Sequence, residues 1–232
     1  MKTRYHNPLS TARSYLERFD IGTLLPWKDK PSNAIVDITK GIATGYYFDA
    51  MPDNPHGIDE RLSYDALKRE TLWQFYHVLH SGLRIQPWVS EGQPYDTSAA
   101  MFHDVWENGH LFYFPTTSGF GDGETYAQHP LYDPVPELPQ YRYNDLFRVI
   151  HDYFGHAVFG YQFGPTGETR AWDAHARMFS PLAMRALTTE THGQNSWVNY
   201  GPHNPQSLSP SERPYAGQKT GILPRHLWPN SI

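Results

Sequence analysis

At 232 residues with 39% hydrophobic content and no cysteine, the chain fits one domain that holds neither disulfides nor thiolate metal ligands. A formal net charge of −5, with no concentrated basic run, argues against a nucleic-acid or anionic-membrane surface. No apolar run approaches the ~20 residues that span a bilayer, and the N-terminus lacks the apolar core of a signal peptide, so a cytoplasmic location is expected.

Sixteen Tyr, 12 Phe and 7 Trp predict a core filled largely by rings. Residues 1–31 read as an irregular arm with a short helix from Thr11 to Phe19. Ala34 to Phe48 is β-prone, carrying Ile35, Val36, Ile38 and Ile42 ahead of three aromatics. Ser63 to Ser81 reads as a helix with Leu67, Leu72, Phe75 and Leu79 near the 3.6-residue period, and Gly82 suits its C′ position. Leu83 to Val89 suggests an edge strand, because Pro87 cannot donate to a ladder.

Thr97 is a cap for a helix through Trp106, and His110 to Phe114 is apolar and aromatic. A long loop, rich in Gly and Pro but also in rings, follows to Tyr141 and is expected to be ordered. Asn144 is the expected cap of the next helix, and Thr166 of the one running from about Glu168 to Phe179. Ser180-Pro181 is a strong start signal for a further helix, an N-cap side chain followed by proline at N1. That helix is expected to end at Gly193. The Pro-rich residues 200–232 then wrap the surface. The predicted fold is mainly α with a few short strands and long ordered loops (α+β), one domain over 1–232.

The chemistry concentrates in His151-Asp152-Tyr153-Phe154-Gly155-His156. Five positions on a regular helix is about 140° of rotation, so the two rings would not face one ion. A π-bulge makes the fifth position behave like the fourth, and Gly155 tolerates such a distortion. A mid-helix glycine costs roughly 1 kcal/mol relative to alanine, which favours a purpose. Histidines in an aromatic helix are also commonly hydrogen-bonded core residues. Glu190 tips the balance, because it continues the apolar stripe of Ala183, Ala186 and Leu187. A carboxylate facing a core needs a cation or strong donors. Two imidazoles and a carboxylate suit a divalent metal that keeps coordination positions open. His151, His156 and Glu190 are therefore the expected metal ligands; Glu168 is an alternative carboxylate placed behind Glu190, because its position equally suits an ordinary glutamate at a helix N-terminus.

The run His151 to His156 resembles the histidine motif of the pterin-dependent aromatic amino acid hydroxylases, in which two histidines five apart, the second preceded by glycine, bind non-haem iron. Thr188-Thr189-Glu190-Thr191-His192-Gly193 is similar in character to the segment that supplies their glutamate. The resemblance covers about residues 145–195. It departs at Asp152, where the family has glutamate, and no residues match the family's amino-acid and pterin contacts. It implies a hydroxylase-like helical core around Fe(II), an O2-dependent hydroxylation of a small aromatic substrate, and a reduced pterin as one candidate reductant.

Zinc suits the same ligands, so a zinc hydrolase remains an alternative. The pairs His103-Asp104 and His151-Asp152 raise an HD-type phosphohydrolase, and structural histidines in a non-enzymatic interaction domain are a third reading. Asp152 and His175 are candidates to orient a ligand imidazole. Asn195, in the run Gly193 to Asn199, is a candidate for lining a substrate pocket. The partner expected is a small molecule; the oligomeric state is left open.

Overall fold

The computed structural model describes residues 6–120, 126–209 and 212–230. Helix α1 (Pro8–Arg18) is capped by Asn7 with Pro8 in its first turn, and α2 spans Ile38–Ala50. Next come α3 (Ile58–His80), β1 (Arg84–Pro87) and α4 (Ser98–His103), the last extended by a π segment over Asp104–Asn108. Strand β2 (His110–Tyr113), the short α5 (Thr116–Gly119), β3 (Pro134–Val135) and β4 (Leu138–Arg142) follow. The C-terminal half holds α6 (Tyr143–Ile150), a π segment over His151–Ala157, α7 (Pro165–Ala176), α8 (Pro181–Thr188), a π segment over Thr189–Gly193, and α9 (Gln194–Tyr200). Strands are few and short: β1 pairs parallel with β2, and β3 antiparallel with β4. The predicted mainly helical α+β class is what the structure has.

The largest buried cluster joins Tyr64, Leu67 and Phe75 of α3 to Leu146, Val149 and Ile150 of α6, Phe154, Trp172 of α7, and Ala183 and Leu187 of α8. Each such fully buried large side chain contributes about 1.5–3 kcal/mol. Rings dominate the largest buried side chains, as composition predicted. Among the described residues no helix is long and apolar enough to cross a membrane.

Four local expectations are corrected. The β-prone 34–48 stretch holds no strand: residues 34–37 are irregular and α2 takes over from Ile38. Its Gly41 and Gly45 lie so close to α9 that a Cβ on Gly45 would sit 2.7 Å from the Ser196 carbonyl oxygen, so glycine-mediated helix packing overrides the β-branched composition. Asn144 lies inside α6, where it donates to Thr116 Oγ1; the cap is made by Asp145, whose carboxylate accepts the Arg142 amide. Thr166 likewise lies inside α7, which starts with Gly164 as N-cap and Pro165 at N1. The α8 helix does begin at Ser180-Pro181, with Ser180 accepting from the Ala183 amide, but it does not stop at Gly193. The chain passes through the π segment and α9 to Gly201, so Gly193 to Asn199 is helical rather than a loop.

Other features stand where they were expected. Gly82 follows α3 at φ +92°, a left-handed position open to glycine. Thr97 caps α4 through the Ala100 amide. The predicted long loop contains α5 and the β3–β4 pair, and its residues 121–125 lie outside the described part.

Candidate metal centre

The His151–Ala157 segment is π-helical, the departure that the five-residue histidine spacing called for. The Val158 amide donates to the Tyr153 carbonyl, five residues back, at 3.0 Å. One extra residue per turn brings the rings of His151 and His156 to a centroid separation of 5.1 Å, nearly perpendicular at 86°. Gly155 is close-packed here rather than conformationally unusual. A Cβ at that position would meet His151 Nδ1 at 3.2 Å and Ala171 Cβ at 3.4 Å, so its bareness seats the His151 ring and lets α7 approach.

The third donor comes from α7. After the π segment the chain turns at Gly160 (φ +71°) and re-enters helix at Pro165. A Cβ on Gly167 would strike the Gln162 carbonyl oxygen at 1.8 Å, so this tight return depends on glycine. It sets the first turn of α7 beside the histidines. Glu168 Oε2 lies 3.4 Å from His156 Nε2 and 3.7 Å from His151 Nε2. His151, His156 and Glu168 each offer a ligand atom within 4.8 Å of the others, and among the described residues they are the one group that does so.

Glu190 is therefore corrected as a ligand: it is not brought to the two histidines. Its position on the buried stripe was read properly, since it is 7% exposed. Its charge is met by donors instead of a cation. The Tyr64 hydroxyl donates to Oε1, Gln194 Nε2 donates to Oε2 at 2.9 Å, and His129 Nε2 lies 3.2 Å from Oε1. Tyr64 and His129 come from α3 and from the segment before residue 130, which no local pattern around Glu190 could announce.

The surroundings hold the two imidazoles in place. His156 is buried and directs Nδ1–H to the Tyr161 carbonyl at 3.1 Å, leaving Nε2 toward Glu168. His151 Nδ1 lies 3.3 Å from His175 Nδ1, and His175 Nε2 lies 3.0 Å from Gln74 Oε1. His175 is fully buried, and burial, reinforced by His151 and His156, holds it well below the ordinary histidine range. Gln74 escaped the sequence reading. Its signal was a polar residue on the buried face of α3 between Thr71 and Val78.

Electrostatics favour a cation here. Burial opposes the charged form of His156, but the Glu168 and Asp152 carboxylates outweigh it and lift the ring to about 9. Burial likewise opposes the Glu168 anion, and His156 and His151 outweigh it, holding that carboxyl well below its usual range. Burial pushes the neighbouring Asp152 carboxyl up, against the pull of His156 and His151. Phe163, 47% exposed, sets its ring 5.2 Å from that of His156, at the solvent side of the centre.

Other candidates sit elsewhere. Asn195 lines a small cavity with Lys40, Thr169, His192 and Tyr200. The His103-Asp104 pair diverges: His103 bonds the exposed Glu107, while Asp104 accepts from Tyr95 and from His110. No family model matches this chain, and neither a curated protein nor a solved structure matches it.

Proposed function

We propose that this protein is a mononuclear metalloenzyme whose metal is held by His151, His156 and Glu168, and that it is an Fe(II), O2-dependent hydroxylase of a small aromatic substrate. The observation that carries the reading is the convergence of two imidazole Nε2 atoms on one carboxylate oxygen, at 3.4 and 3.7 Å. Ligands bonded at ~2.0–2.2 Å stand ~3.0 Å apart at octahedral and ~3.4 Å apart at tetrahedral angles, so the two carboxylate–imidazole spacings are close to those of a shared ion, and all three donors lie within 4.8 Å of one another. A 2-His-1-carboxylate set leaves up to three positions open on octahedral iron.

Bound iron would supply oxygen activation, and a reductant of the reduced-pterin class would supply the two electrons and two protons by which one oxygen atom enters the substrate C–H bond and the other becomes water. This chain's own residues hold the centre and shape its approach. Phe163 stands beside His156 as an apolar surface on which an aromatic substrate can pack. The near-tetrahedral spacing supports a second reading, a zinc hydrolase.

Anaerobic purification, metal analysis and Fe(II) titration of wild type and His156→Ala test the centre. Stoichiometric iron in wild type and none in the variant is expected; no iron in wild type would end the reading. Oxygen uptake with aromatic amino acids and a reduced tetrahydropterin then tests the reaction. Zinc occupancy with ester or amide hydrolysis would move the assignment to the second reading.

A further inference from the structure

We infer that Gln74 and His175 form a hydrogen-bond relay that fixes the tautomer of His151, keeping its proton on Nδ1 and its Nε2 lone pair toward Glu168. The inference deepens the metal-centre reading above and rests on it for its purpose, though not for its geometry.

The relay starts from a group whose orientation has one solution. Gln74 is fully buried, and its Nε2 donates to the Met178 carbonyl at 2.9 Å. A flipped amide would set two carbonyl oxygens against each other at that distance, so Oε1 must face His175. A carbonyl oxygen only accepts. His175 Nε2, 3.0 Å away, must therefore carry a hydrogen. Two N–H groups cannot face each other across the 3.3 Å between His175 Nδ1 and His151 Nδ1. One nitrogen is a bare acceptor; His175 is fully buried among Phe147, Phe154 and Phe179, and its hydrogen-bond partners Gln74 and His151 include no carboxylate, so it carries one proton, already placed on Nε2, and the bare nitrogen is its Nδ1. His151 Nδ1 then carries the hydrogen and donates it, and His151 Nε2 is left with its lone pair on the Glu168 side.

The surroundings keep the relay rigid. The His175 ring lies 4.8 Å from Phe179 and 6.3 Å from Phe154, and 6.5 Å from Phe147, which also stacks near His151. The other ligand needs no such relay, because its Nδ1–H meets the Tyr161 carbonyl directly. Each Nδ1–H is held by a different route: a backbone carbonyl for His156 and a three-residue side-chain chain for His151. Gln74 and His175 are thus positioning residues, linking α3 through α7 to the centre.

The test uses the full-length, metal-free protein labelled with 15N at histidine. Long-range 1H–15N correlations report which ring nitrogen is protonated, with the His151 ring assigned by its loss in His151→Ala. Wild type is expected to show His151 protonated on Nδ1 and His175 on Nε2. Gln74→Leu, of similar volume, is expected to give mixed tautomers at both rings and to weaken cobalt(II) binding, followed by visible absorption, by ~10–100-fold, the usual loss for an outer partner of a ligand histidine. A bare His151 Nδ1 in wild type would overturn the relay. So would a Gln74→Leu protein that binds cobalt as wild type does. The wild-type measurement decides even if the variant fails to fold. Wild type with the expected tautomers but no cobalt binding would uphold the relay and end the metal reading instead.

Discussion

Glu168 and His156 face each other at 3.4 Å between carboxylate oxygen and Nε2, although a complete chain reversal separates them. Glu190, the other buried carboxylate of this region, is committed to Tyr64 and His129. The two glutamates should respond differently to neutralisation. Glu168→Gln is expected to lower divalent-metal affinity by more than the ~10–100-fold typical of an outer partner. Glu190→Gln should leave that affinity within a few-fold and instead lower stability by about 1–3 kcal/mol, through loss of a buried charge-assisted network. Isothermal titration with zinc(II) and denaturant unfolding of both variants check this. Metal loss in Glu190→Gln alone would return the ligand role to Glu190.

The metal-free ion pair sets a pH window. His156 is raised from 6.5 to about 9, so its contribution is full below pH 6.5 and is lost as pH climbs through about 9. Glu168 is depressed from 4.5, so its contribution is present above that value and lost only on strong acidification. The apo protein should therefore lose thermal stability from neutral pH toward pH 9. A bound divalent ion replaces the proton on His156, so the loaded protein should be flatter over the same range. Melting temperatures with and without zinc(II), beside His156→Ala, provide the check; an apo slope unchanged in His156→Ala would refute the assignment.

Gly155→Ala would ordinarily stabilise a helix by up to about 1 kcal/mol. Here the new methyl meets the His151 ring at 3.2 Å and Ala171 at 3.4 Å. The expected result is a folded protein with no such gain and weaker metal binding, read by the same titration. Wild-type affinity in a more stable variant would show that the glycine does not seat the ring.

Gly45→Ala places a methyl 2.7 Å from the Ser196 carbonyl oxygen and 3.1 Å from the Gly201 amide nitrogen, both backbone atoms that cannot step aside. Parting α2 from α9 should cost about 1–3 kcal/mol, the usual range for overpacking. Urea unfolding measures it, and a neutral substitution would mean that α2 packs more loosely than described.

How much of this was legible depended on whether the controlling contacts were local. The Ser180-Pro181 start and Gly82 are written in adjacent residues. So is the π turn, because two histidines five apart can face one point only if the helix gains a residue. Helix α2 was misread because Ile35, Val36, Ile38 and Ile42 are β-branched, while the Gly41 and Gly45 contacts that settle its conformation lie with residues around 196–201. The carboxylate was misassigned for a related reason. Periodicity correctly buried Glu190, yet burial does not say whether a cation or a tyrosine waits there. Glu168 reads as an ordinary N-terminal glutamate until the turn through Gly160 and Gly167 folds it back. Gln74 could be suspected from its buried face, but its partner His175 is a hundred residues away.

The π segment at His151–Ala157 also fixes which changes in chain length this protein can survive. Its seven residues hold one more than an α-helix needs for the same path. Removing one between the histidines would let the helix return to regular pitch with the two rings four apart and still on one face, so what lies beyond would keep its path. A single-codon deletion between Pro165 and Glu168, where α7 has no surplus residue, would instead turn Glu168 by about 100° and pull the donor set apart. The reach of Glu168 back to His156 is thus phased by a count of residues as well as by their identity.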